Sequence, residues 1–283
     1  MTTTAIGTPP ARNAAPWGRV VAAELRWVLR RPRNMAALLL MAALPVVVGT
    51  TIALTGGPGA GDGPPALSTV AGNGLVLPVA TMILAQTMLL PLVAATVAAD
   101  ALAGEASHGT LRGLLLAPVS RVRVVLIKAL GVLTMIALSV GVMAVSGVLT
   151  GLLVVGGGDL VTLSGTTLPM LDGLARVAMA ALWVVAQMAA VGAIALALSS
   201  MTEHPVVVLA STMGIVIVFG VLGAFSSLSW LHPFLVTTGW TSVIDVLRDP
   251  VVTDNLVEGL WRAGCYVVIG VSVSIARMAT KDS

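Results

Sequence analysis

Residues 205–228 read PVVVLASTMGIVIVFGVLGAFSSL, 24 positions without one charged side chain. A helix rises about 1.5 Å per residue and the hydrocarbon layer of a bilayer is about 30 Å thick. A run of about 20 apolar residues is therefore the length that crosses it. Five more runs of this kind lie at about 35–54, 75–99, 124–155, 173–199 and 260–276. They are continuous in Ala, Val, Leu and Gly, whereas strands of a membrane barrel alternate apolar and polar residues over segments of about ten. The chain reads as an all-α integral membrane protein with six spans.

Composition supports the same reading. Of 283 residues, 57% are apolar and 10% charged, and the mean hydropathy is +1.02. A soluble domain carries about 25% charged residues, so this chain lacks the polar surface to cover a globule in water. A single cysteine, Cys265, excludes an internal disulfide framework and a multi-cysteine metal site. The two lysines, Lys128 and Lys281, follow no GxxxxG run, so the chain has no phosphate-binding loop and does not hydrolyse ATP by itself.

The charges are distributed unevenly along the chain. With the N-terminus inside, twelve basic residues fall on the inner side and three, Arg176, Arg248 and Arg262, on the outer side. Acidic residues divide seven outside and five inside. This positive-inside bias accounts for the net charge of +3 and the pI near 9.8 better than a nucleic-acid partner does, and it places both termini in the cytoplasm.

Ahead of the first span, residues 1–16 are small, polar and interrupted by proline, and read as a disordered leader. Residues 17–283 read as one six-span domain. From Trp17 the spacing of Val21, Leu25 and Val28 gives one apolar helical face, with Arg19, Arg26 and Arg30 opposite. That is an amphipathic helix suited to the membrane interface. The first span follows a long charged lead-in and is expected to stay as an uncleaved anchor, with Pro45 kinking it. The second holds Pro78 and Pro91. In the third, Gly147 and Gly151 have the GxxxG spacing that permits close helix contact, but in a chain with 30 glycines the spacing reads as chance. Between the fifth and sixth spans, Val236, Trp240, Val243, Ile244 and Leu247 share one face, with Thr241, Asp245 and Arg248 away from it. This is a short external helix, either re-entrant or anchoring the sixth span.

Most of the interior charge lies between the second and third spans, in AADALAGEASHGTLRGLLLAPVSRVRVVLIKAL, residues 98–130. A break is expected at Gly104, then Glu105, a Gly109–Thr110 pair and a short helix carrying Leu111, Leu114 and Leu115. Pro118 ends that helix, and Arg121, Arg123 and Lys128 anchor the next span. A short apolar helix in a loop needs a docked partner to cover it.

The run from Glu105 through His108, Gly109, Thr110, Leu111, Arg112, Leu114, Leu115, Pro118 and Arg121 to Lys128 resembles the cytoplasmic loop of ABC-2-type transporter permeases. In that family the pattern is Glu, three variable residues, Gly-Thr, a leucine-rich run, Pro-x-Ser-Arg and Lys. The resemblance extends to the N-terminal amphipathic helix, six spans and an external helical hairpin before the sixth. A large external domain after the first span and a fused nucleotide-binding domain are both missing. The resemblance implies a plasma-membrane permease that pairs with a second copy or a homologous permease and binds two separate ATPase subunits. ATP and Mg would be held on those partners, and no cofactor on this chain. The loop would be the coupling element that carries ATPase closure to the spans. Glu24, Arg26 and Arg30 of the N-terminal helix would flank the same contact.

The remaining signals are weaker. His108, His204 and His232 fall in different segments on both membrane sides and cannot share a metal. The 13 methionines read as apolar packing. Gln187, within the fourth span, lines a pathway or bonds a neighbouring helix; Trp240 and Ile244 would stand at the pathway's outer end. No charged residue is expected deep in a span, which disfavours a proton- or ion-coupled carrier. No histidine lies in a span to serve an intramembrane serine protease. The aliphatic spans suit export of an amphiphilic or hydrophobic substrate: a drug, lipid or peptide. A secondary carrier or an intramembrane enzyme is the alternative.

Overall fold

The computed structural model describes residues 17–55, 70, 73–107 and 120–280. The expected leader and the leucine-bearing loop helix fall at 1–16 and 108–119, outside the described residues. Helix α1 (Trp17–Arg30) is followed, after Arg31 alone, by α2 (Pro32–Thr55), and Pro45 lies buried within an unbroken α2. A 3-10 turn, Gly74–Val76, leads into α3 (Leu77–Gln86). Helix α4 (Leu89–Ala99) continues through a π-turn, Asp100–Gly104, into Glu105–Ser107. Helix α5 (Arg121–Thr150) ends in a second π-turn, Gly151–Val155. A two-stranded antiparallel hairpin pairs β1 (Leu160–Val161) with β2 (Thr167–Leu168), Leu160 opposite Leu168. Then come α6 (Met170–Met201), α7 (Pro205–Gly223), two 3-10 segments (Ser226–Phe234 and Trp240–Leu247) and α8 (Asp254–Thr280).

Six helices are long and apolar enough to cross a bilayer. Helix α6 is their centre and packs against α3, α4, α5, α7 and α8. Helix α4 is largely buried, whereas α2, α7 and α8 expose most of their apolar residues. Inside the apolar layer the hydroxyls of Thr81, Ser139, Thr212 and Ser274 donate to carbonyls four residues back, so they carry no unmet hydrogen bond among hydrocarbon.

Three features depart from the sequence reading. The second span is broken at Thr87–Met88, where Met88 leaves helical geometry (φ −149°). Pro91 has no N–H to give to the carbonyl of Thr87, so the ladder is interrupted one turn before the proline. Gly104 is no break: it sits within the π-turn, and the helix runs on through Ser107. A π-turn displaces one residue from the i→i−4 ladder, and a side chain of α6 makes up the deficit. Ser199 Oγ accepts the Ala103 N–H at 2.9 Å and donates to the Ala99 carbonyl at 3.3 Å. Last, the segment Trp240–Leu247 is 3-10 rather than α-helical, and Asp245, expected to point away, is buried. It pairs with Arg248 at 3.2 Å and accepts from Asn255 at 3.2 Å.

The GxxxG spacing of the third span has a packing role. A Cβ on Gly151 would stand 2.1 Å from the Gly74 carbonyl oxygen, and one on Gly147 would stand 2.8 Å from Pro78 Cα. The backbone entering α3 runs directly against α5, and no larger residue fits at either position.

Candidate functional site

Lys128 lies seven residues into α5, about 10 Å along the helix of the third span, and is 3% exposed. The sequence reading made it an anchor at the start of that span; the structure buries it, and the burial is tolerated because two other elements bring carboxylates to it. Its Nζ donates to both oxygens of Glu24 on α1, at 3.0 and 2.9 Å, and to the carboxylate of Glu105 beyond the π-turn of α4. The Trp27 ring covers it at 5.0 Å. A buried ammonium is strongly unfavourable unless paired. Here one cation joins α1, α4 and α5.

A second ion group adjoins the first. Arg31 and Arg33, on either side of the first residue of α2, both pair with Asp100 at the start of the π-turn. The Arg31 guanidinium stacks over Trp27, 3.5 Å from the ring centroid. Burial pulls Arg31 below its ordinary pKa, and the charges of Glu105 and Glu24 act in the opposite direction. Asn34, 4% exposed, donates its side-chain amide to the Val28 carbonyl at 2.7 Å and fixes the corner between α1 and α2. Three acids (Glu24, Asp100, Glu105) thus meet three bases (Arg31, Arg33, Lys128), so the hub is formally neutral.

The hub holds Glu105, shortly before residues 108–119, and a separate contact holds Arg121, shortly after them. Ser120 caps α5, its Oγ accepting the Arg123 N–H at 3.4 Å. Arg121 Nη1 donates to the Met278 and Ala279 carbonyls at 2.9 and 3.0 Å, satisfying acceptors at the C-terminal end of α8. The chain is therefore bonded to α1 and α5 at Glu105 and to α8 at Arg121.

The family model for ABC-2 family transporter protein matches residues 19–238. The chain belongs to the ABC-2 transporter family. No curated protein matches it. The matched region runs from α1 through the 3-10 segment Ser226–Phe234, so the whole hub lies inside it. This permease is the membrane component of a transporter.

Of the residues singled out by sequence, the permease brings Glu24 and Glu105 together on Lys128. Arg121 stands at the other end of the loop. His108, Gly109, Thr110, Leu111, Arg112, Leu114, Leu115 and Pro118 are outside the described residues. Arg26 and Arg30 are exposed on α1 and line a surface groove that adjoins the hub at Trp27 and Arg31. Gln187 is buried between α6 and α8, its Nε2 3.3 Å from where a Gly259 Cβ would stand. Trp240 is buried and Ile244 half-buried in the second 3-10 segment. The first 3-10 segment and the chain just after it are held by Arg262, which donates to the Pro233 and Thr238 carbonyls, and by Tyr266, which donates to the Phe234 carbonyl. Among the described residues no group of His, Cys, Asp or Glu could hold a metal.

Sequence reasoning missed Asp100, Arg31, Arg33 and Ser199, and it treated Lys128 only as an anchor. A signal for the first three existed. Asp100 is a lone acid ending one apolar run, and Arg31 and Arg33 open another. On one side of a bilayer such charges find each other. It also missed Gln86, a fully buried amide with neither polar atom partnered, placed just before the break in the second span.

Proposed function

We propose that this permease exports an amphiphilic or hydrophobic substrate across the plasma membrane, driven by two separate ATPase subunits that bind ATP and Mg. It acts paired with a second copy or a homologous permease, with both termini in the cytoplasm. The observation that carries the reading is the anchoring of the chain on both sides of the 108–119 loop. A loop that couples ATP-driven closure to the spans must pass displacement on rather than absorb it, and packed elements joined by discrete contacts do so. In this reading Leu111, Leu114 and Leu115 supply the apolar area buried in the ATPase. Glu105 serves as the internal anchor, handing the movement through Lys128 to α5 and through Glu24 to α1.

An apolar cleft of 280 Å³ supports the substrate class. It lies between α5, α6 and α8, walled by leucines such as Leu126, Leu130 and Leu133 and floored by Ala189 and Gly192. It offers no charged side chain, so it suits a hydrocarbon portion and not a bare ion.

Two substitutions test the reading. Leu115→Asp would bury an unpaired carboxylate against the ATPase and is expected to abolish co-purification of the two subunits. Glu105→Gln is expected to leave assembly intact and to lower substrate-stimulated ATP hydrolysis and transport together. If both variants still co-purify with a fully stimulated ATPase, the loop is not the coupling element.

A further inference from the structure

A groove of 450 Å³ runs along the outer side of α1 to the first residue of α2, lined by Ala23, Arg26, Trp27, Arg30, Arg31 and Pro32. Residues 23, 26, 27 and 30 form one stripe of the helix, and no acidic side chain lines it. The arginines here divide into two sets. Arg31 and Arg33 both pair with Asp100, within the neutral hub. Arg26 and Arg30 make no ion pair among the described residues. Like charges four apart on a helix repel each other, and the hub, already neutral, offers them no spare acid. Both guanidinium groups are exposed, and no acid among the described residues balances them.

The position of the groove says what counter-charge fits it. It ends on Pro32, where the first membrane-crossing helix begins, so it lies at the level of the lipid headgroups. Trp27, 39% exposed beside it, is a residue type that favours this level. Guanidinium forks match phosphate oxygens bidentately. We infer that this groove is a headgroup site for an anionic phospholipid of the adjoining leaflet, with Arg26 and Arg30 on the phosphodiester and Trp27 against the glycerol region. Arg31 stays on Asp100 and closes the inner wall. The lipid would then seat α1 against the membrane on one face while Glu24 and Val28 seat it against α5 on the other.

Native mass spectrometry of the purified full-length permease in detergent tests this, with phosphatidylglycerol and phosphatidylcholine as probes. The permease is expected to bind phosphatidylglycerol at least about tenfold more tightly than phosphatidylcholine. The double variant Arg26→Gln/Arg30→Gln is expected to lose about 30-fold, since each basic side chain near an anionic leaflet contributes about a factor of five. Arg26→Lys/Arg30→Lys should recover part of the loss, because it keeps the charge without the fork. Arg19→Gln, an exposed arginine of α1 outside the groove, should bind within about twofold of wild type. Equal affinity for the two lipids, an unchanged double variant, or an equal loss in Arg19→Gln overturns the site. So does a double variant that keeps its phosphatidylglycerol affinity but no longer co-purifies with an ATPase, because the groove is then a protein contact. The binding measurement involves no ATPase, so its failure leaves the coupling reading untouched.

Discussion

Replacing Lys128 with Met removes the cation and keeps most of the side-chain volume. Glu24 and Glu105, whose side chains are 14% and 10% exposed, would then face each other with no ammonium between them. Breaking a buried ion pair by deleting one partner costs about 3–5 kcal/mol. The lower end applies here, because the charge of Arg31 still reaches both carboxylates and Glu24 is partly solvated. A loss of about 3 kcal/mol lowers the folded-to-unfolded ratio by about a hundredfold. Tryptophan fluorescence during reversible unfolding in mixed detergent and dodecyl sulfate micelles reads it directly. The triple variant Lys128→Met/Glu24→Gln/Glu105→Gln removes all three charges and should return to within about 1–2 kcal/mol of wild type, since a neutral replacement of a buried ionic group is often tolerated. With ATPase present, that triple variant should be stable yet uncoupled. A Lys128→Met variant as stable as wild type would refute the argument, and so would a triple variant no better than the single one.

Three further outcomes follow from particular contacts. Gly151→Ala should destabilise strongly, because its methyl would meet the Gly74 carbonyl, whereas Gly141→Ala, with nothing within 4 Å, should be neutral or slightly stabilising in the same unfolding assay. In a Cys265→Ala background, an impermeant thiol reagent applied outside intact cells should label a cysteine at Asp159 and miss one at Ser120; the opposite pattern overturns the proposed orientation. Replacing Trp240 and Ile244 together with Ser should reduce transport while basal ATP hydrolysis remains measurable, and unchanged transport would make the external segment only an anchor for α8.

The six helices were legible because a bilayer imposes length and apolarity on each span separately, and both are local properties of the chain. What escaped the sequence was set by distant partners. The π-turn at Asp100–Gly104 exists alongside Ser199, nearly a hundred residues later, and without that hydroxyl a glycine after an apolar run reads as a terminus. The break at Thr87–Met88 was announced by Pro91, but a proline shows only that a hydrogen bond is missing and not how the chain yields. Asp245 reads as solvent-facing on an α-helical wheel. The segment's 3-10 geometry, with its tighter turn, rotates it inward to Arg248 and Asn255. In the loop, Glu105 was identified by its motif, yet its bond to Lys128 was not: Lys128 ends the same motif, and its spacing there says nothing of which way it faces.

The hub also bears on why α1 is held by ions and not by apolar packing alone. Within a membrane, lipid tails are as apolar as leucine, so apolar contact between helices gives little preference for one register over another. Val28 packed against α5 would allow α1 to slide, whereas Lys128 bonded to Glu24 and Glu105 admits one arrangement. A contact of this kind is discrete. If an ATPase displaces Glu105 by an ångström or two, the hub has two courses: the Lys128 bonds break, or α1 and α5 move with the loop. Breaking them costs about 3 kcal/mol by the estimate above, and moving the elements together costs only what their outer faces lose against lipid. As long as that second cost is the smaller, displacement at the loop becomes displacement of the third span. That is the condition a coupling element must meet, and the stable but uncoupled triple variant is its direct test.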